Sequence, residues 1–195
     1  AAIESIGSGA FYNCTNLNSI EIPSGVLRIE DSTFYGCISL FKILLPDDLA
    51  YISDNAFQGC TSLTIYSGSG SYSEEYAKLH HIIFVASDSL NEFGEFQYRT
   101  LEDGTVEIIK YTGEHYVVTI PDSIQGKAIS IIGNGAFLGC EWVKEVIIPY
   151  GISEIGSGAF VNCTNLTNID IPDTVTEIGN NAFYNCIKLV NMTQI

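Results

Sequence analysis

Apolar positions return along this chain on a beat of 23 residues. Phe11, Phe34 and Phe57 keep that spacing, and so do Phe137, Phe160 and Phe183. Five positions before each ring stands Ile6, Ile29, Ile52, Ile132, Ile155 or Ile178. Six positions after it comes Leu17, Leu40, Leu63, Val143, Leu166 or Leu189. Ala10, Ala56, Ala136, Ala159 and Ala182 directly precede the Phe, with Thr33 the one departure. A unit this short cannot bury its own apolar face, so the units must stack into a solenoid.

The pattern within a unit assigns its elements. LNSIEIP (17–23), LFKILLP (40–46), VKEVIIP (143–149) and LTNIDIP (166–172) alternate inward apolar residues with others, as a strand with one buried face does. Pro23, Pro46, Pro149 and Pro172 close these strands, because proline has no N–H for the next ladder bond. From each Ala-Phe pair to the Cys three positions beyond the ring, the spacing predicts one helical turn with Phe and Cys on a common inward face. The residue before each Cys is Asn13, Gly36, Gly59, Gly139, Asn162 or Asn185, types that tolerate a left-handed backbone. Stacked units then form parallel sheet with coils ~4.8 Å apart.

The beat is broken once. Phe57 to Phe137 is 80 residues, not a multiple of 23, so two arrays of three units flank something else. SYSEEYAKLHHIIFVA (71–86) predicts a helix and then a strand, with Ser71 or Ser73 as N-cap and Glu74 and Glu75 in the first turn. Tyr76 and Leu79 are expected to pack over the open end of the third unit. SDSLNEFG (87–94) reads as a polar hinge. Three strand-like runs follow, EFQYRTL, TVEIIKYT and HYVVTIP, with hairpin turns expected at Asp103-Gly104 and at Thr112-Gly113. The expected division is a first repeat block with a helical cap (1–86), a linker with a β-rich N-terminal cap (87–131) and a second block (132–195). The two ends, AAIESIG and LVNMTQI, read as cuts within a longer protein.

Composition narrows the partners. Apolar residues make up 46%, against disorder, and 23 acids with 8 bases give a net charge of −15. That balance argues against nucleic acid and anionic membrane surfaces, which need clustered Lys and Arg. No apolar run reaches the length of a spanning helix. All six cysteines fall in the repeat slot, without metal-binding spacing, and read as reduced, buried, apolar residues; disulfides are the competing reading. His80, His81 and His115 read as cap and turn residues. Sequons at Asn13, Asn162, Asn165 and Asn191 largely follow from the repeat and mark no glycosylation site. No nucleophile elbow or phosphate loop is present, so neither an enzyme nor a cofactor is expected.

These motifs resemble the BspA-like, or Treponema pallidum-type, leucine-rich repeats, whose consensus is similar to L-x-x-I-x-I-P-x-x-V-x-x-I-G-x-x-A-F-x-x-C. The likeness covers residues 3–65 and 124–195; Glu30 and Ser53 replace the Gly after Ile, and Trp142 occupies a slot that is usually small and polar. The resemblance implies an α/β solenoid of 23-residue leucine-rich repeats with parallel sheet, in two capped blocks joined by a small antiparallel β segment. It also implies a bacterial protein, extracellular or on the cell surface, that binds a protein or glycan of a host or neighbouring cell, some members being adhesins.

Candidate binding residues are the outward strand positions: Ser19, Glu21, Lys42, Leu44, Glu145, Ile147, Asn168 and Asp170. Their mix of acidic, polar and apolar types suits a ligand face, and a merely solvated scaffold is the competing reading. Trp142 is either a contact residue or packing against the β-rich leader. The alternative function is a structural spacer or self-assembly repeat with no ligand of its own.

Overall fold

The structure, a computed structural model, describes residues 3–194. It divides into two compact units, one ending at Ser89 and the next beginning at Leu90. In the first unit, β1 (Ser5–Ile6), β3 (Arg28–Ile29) and β5 (Tyr51–Ile52) form one parallel sheet. A second parallel sheet joins β2 (Ser19–Glu21), β4 (Lys42–Leu44), β6 (Thr64–Ser67) and β7 (Ile83–Ala86), with helix α1 (Tyr72–Leu79) between the last two.

Each coil therefore carries two strands: the expected one after Leu, and a shorter one at the Ile five before Phe. Register follows the repeat, Ser19 with Lys42 and Arg28 with Tyr51. Lys42 pairs instead with Thr64, because the third coil enters its strand one residue sooner.

The Ala-Phe to Cys segment is not a helix. It is a run of i to i+3 turns, with Ala10 N–H to Gly7 O and Cys14 N–H to Phe11 O. The reason lies in its other bonds. Phe11 N–H donates to Thr33 O at 2.8 Å and Asn13 N–H to Tyr35 O at 2.7 Å, both in the next coil. An α-helix would direct these N–H groups along its own axis. The expected left-handed residues do make the turn: φ is 55° at Asn13, 71° at Gly36 and 61° at Asn162. Spacing between coils sets the aromatic column as well. Phe11, Phe34 and Phe57 stack nearly parallel, with centroids 4.9 and 5.3 Å apart, close to the strand spacing.

Helix α1 ends this column. Ser71 is its N-cap and accepts from Glu74 N–H, and the Tyr76 ring meets Phe57 edge-on at 6.1 Å. Leu79, expected to pack with it, is 72% exposed. It stands three residues from Tyr76, but Ala77 takes the inward position instead. Residues 87–94 are no simple hinge either, since a 3₁₀ turn (Ser87–Ser89) leads into a strand.

That strand, β8 (Asn91–Phe93), opens the second unit. β9 (Phe96–Thr100) and β10 (Val106–Tyr111) continue as an antiparallel hairpin around Asp103-Gly104. After β11 (Val117–Thr119), β12 (Ser123–Ile124) turns back on β13 (Lys127–Ile132). The coils follow with β14 (Glu145–Ile147), β15 (Glu154–Ile155), β16 (Asn168–Ile171), β17 (Glu177–Ile178) and β18 (Asn191–Gln194). One sheet runs β17-β15-β13-β10-β9-β8 and the other β11-β14-β16-β18. The leader shares one core with these coils, and Tyr111 stacks on Phe137 at 5.1 Å where a preceding Phe would stand.

The second expected hairpin does not form. β11 leaves β10 at Thr112-Gly113 and pairs in parallel with β14, Val117 with Glu145. VVTIP repeats the apolar-x-Ile-Pro ending of a coil strand, so Val118 and Ile120 are buried with the coils. That side-chain match outweighs a local turn.

Candidate ligand face

The outward strand positions fall into two groups, one in each unit. In the first, Ser19 is in register with Lys42, and Glu21 with Leu44. Glu21 is exposed, while Ser19, Lys42 and Leu44 are half-buried. Lys42 places its ammonium 4.7 Å from the Tyr66 ring centroid, a cation–π contact that occupies its charge within the unit.

In the second unit Glu145 pairs with Asn168, and Ile147 with Asp170. Ile147, Asn168 and Asp170 are exposed and Glu145 is half-buried. The structure adds two residues that the sequence reading missed. β11 brings Val117 beside Glu145 and Thr119 beside Ile147, and both are exposed. The signal was the VVTIP ending, hidden by the expectation of a hairpin. Beneath the face, Val118, Val146 and Ile169 are buried and fix each strand's register.

Trp142 lies just before β14 and is not a strand residue of this sheet. It is half-buried against the core of the second unit, and its indole Nε1 is buried without a hydrogen-bond partner.

The cysteines have a structural task. The thiol of Cys37 donates to Phe11 O at 3.0 Å, Cys60 to Phe34 O at 3.2 Å and Cys163 to Phe137 O at 3.1 Å. Each thiol thus bonds a turn carbonyl one coil back. All six are free. Burial pushes the Cys60 thiol up to about 12 and that of Cys140 to about 11, away from the reactive thiolate.

A second acidic row runs on the other sheet. Glu154 pairs with Glu177, and Glu107 accepts from Arg99 Nε at 2.6 Å. Desolvation, then repulsion from Glu177 and Glu107, raises the Glu154 carboxyl. Among the described residues no group of three or more His, Cys, Asp or Glu could hold a metal ion. No helix among them is long and apolar enough to cross a membrane.

Repeated coils of parallel sheet, with Leu or Val, Ile and Phe recurring at fixed positions, define a leucine-rich-repeat solenoid. A family model described as a BspA type leucine rich repeat region matches in six copies, across residues 1–94 and 113–194. The chain belongs to that family. The crystal structure of a T. pallidum leucine rich repeat protein is 32% identical with a TM-score of 0.51, over 52% of this chain and 48% of that one. A leucine-rich repeat protein from Bacteroides capillosus is 19% identical, with a TM-score of 0.45, over 55% of this chain and 99% of that one. A leucine rich cell surface protein from Faecalibacterium prausnitzii is 20% identical, with a TM-score of 0.29, over 98% and 69%. The chain thus spans about half the length of the T. pallidum protein. Among curated proteins none matches.

Proposed function

We propose that this chain is an extracellular or cell-surface binding module that holds a protein or glycan on its outward sheet positions, in the manner of an adhesin. One observation carries the reading. The inward positions repeat from coil to coil, while Val117, Glu145, Ile147, Asn168 and Asp170 form a rigid surface that does not repeat. Mixed apolar and acidic side chains on a fixed backbone suit recognition, since little ordering is left for binding to supply. Catalysis and a bound cofactor have no part in this reading, which follows the family's character as repeat scaffolds. Arrays of glycans and of extracellular proteins probed with the chain test it. A specific ligand whose binding fails in Glu21→Ala with Glu145→Ala, at unchanged melting temperature, is the expected result. A chain that captures nothing and only self-associates is a spacer.

A further inference from the structure

We propose that the sheet face of the second unit takes a cationic partner, an extended Lys- or Arg-bearing segment of another protein. The inference rests on reading this face as the binding surface and adds the chemistry of its ligand. Two rows cross the strands there: Val117, Glu145 and Asn168 in one, Thr119, Ile147 and Asp170 in the other. Glu145 and Asp170 are therefore diagonal neighbours, one strand and two residues apart, or roughly 8 Å. An extended chain sends alternate side chains to one side about 6.6–7 Å apart, so basic residues at i and i+2 meet both acids. Val117 and Ile147, 52% and 44% exposed, lie beside them. A Lys or Arg lays its methylene stem along such residues while its charged head reaches the carboxylate. A metal ion or a small ammonium would leave that apolar half uncovered.

The charge balance of the unit points the same way. From Leu90 onward there are 13 acidic residues and 5 basic ones. Four of the bases have contacts that do not involve Glu145. Arg99 holds Glu107 at 2.6 Å and Lys127 reaches Thr100 Oγ1 at 3.1 Å. Lys144 lies 4.9 Å over the Tyr116 ring, and Lys188 donates to Asn165 Oδ1 at 2.6 Å. Among the described residues the Glu145 carboxylate has no hydrogen bond or ion pair. A cation from outside meets a half-buried carboxylate that no internal base neutralises, where screening by salt is weaker than in open solvent.

Fluorescence anisotropy of a labelled synthetic peptide alternating Lys with Thr, titrated with the full chain, tests this. Saturable binding is expected, weakened about 10-fold or more in Glu145→Gln with Asp170→Asn. Ile147→Ser weakens it about threefold or more through lost stem contact. Glu102→Gln with Glu114→Gln makes the same charge change off the face and leaves affinity within about twofold. Equal loss in the two double variants reveals only a diffuse field and overturns the proposal. Absence of peptide binding overturns it too. If glycans still bind through Glu145 and Ile147 in that case, cationic chitosan oligomers included, the ligand class is wrong and the binding face stands. If nothing binds through those residues, the face itself fails.

Discussion

At the scale of single residues, the Phe and Cys of each coil do different work. The rings form a column whose pitch equals the sheet's, so each Phe is locked by its neighbours; Phe137 and Phe160 are fully buried, with centroids 4.9 Å apart. The thiols of Cys37, Cys60, Cys163 and Cys186 bond turn carbonyls one coil back. In the first coil Cys14 has no such bond among the described residues and is exposed. Thiol labelling of the native chain at neutral pH is therefore expected to modify Cys14 readily and half-buried Cys186 more slowly. Cys37, Cys60 and Cys163 should react only on unfolding, and mass spectrometry of timed samples reads the order. Prompt native labelling of Cys60 would contradict the packing. The beat of Phe and Cys was legible in the sequence because side-chain identity fixes which positions turn inward. The thiol's acceptor was not, since a bond to the backbone leaves no mark on residue type.

At the scale of elements, some local sequence signals held and others yielded to bonds and packing between coils. Ser71 with Glu74 and Glu75 announced α1, and Ser71→Ala should cost about 1 kcal/mol in urea unfolding through loss of the cap. The same substitution at Ser69, outside the helix, removes the bond from Ser69 Oγ to Asp88 instead and should cost less. At Thr112-Gly113 a turn signal competed with the strand ending VVTIP, and packing with the coils prevailed. The short strands at Arg28–Ile29 and its counterparts were missed because two residues carry no visible alternation. One of them has a measurable consequence. Folding raises the Glu154 carboxyl above its ordinary value, so the native state binds protons more tightly than the unfolded chain there. Stability contributed at this site is greatest at low pH and falls as pH rises from the ordinary carboxylate range through the raised value, levelling above it. Glu154→Gln should flatten that part of a stability-against-pH profile measured by chemical denaturation. A profile unchanged by the substitution would show the glutamate cluster to be relaxed by solvent.

At the scale of the whole chain, the proposed function falls on residues other than those that carry the repetition. Six matches to one family model explain the architecture, and residues 95–112, outside them, include the hairpin of β9 and β10 that begins the second unit's core. The candidate face was half legible. Period-two alternation named Glu145, Ile147, Asn168 and Asp170, but β11 and its Val117 enter only through long-range parallel pairing. Net charge of −15 was plain from composition; that the Glu145 carboxylate has no ion pair among the described residues emerged only from where the bases fold. Amide hydrogen exchange of the full chain, free and saturated with the alternating Lys–Thr peptide, tests the division of labour most directly. Added protection confined to β11, β14 and β16 is the predicted result. Protection centred instead on the Asp103-Gly104 hairpin, or spread evenly over both units, would contradict it.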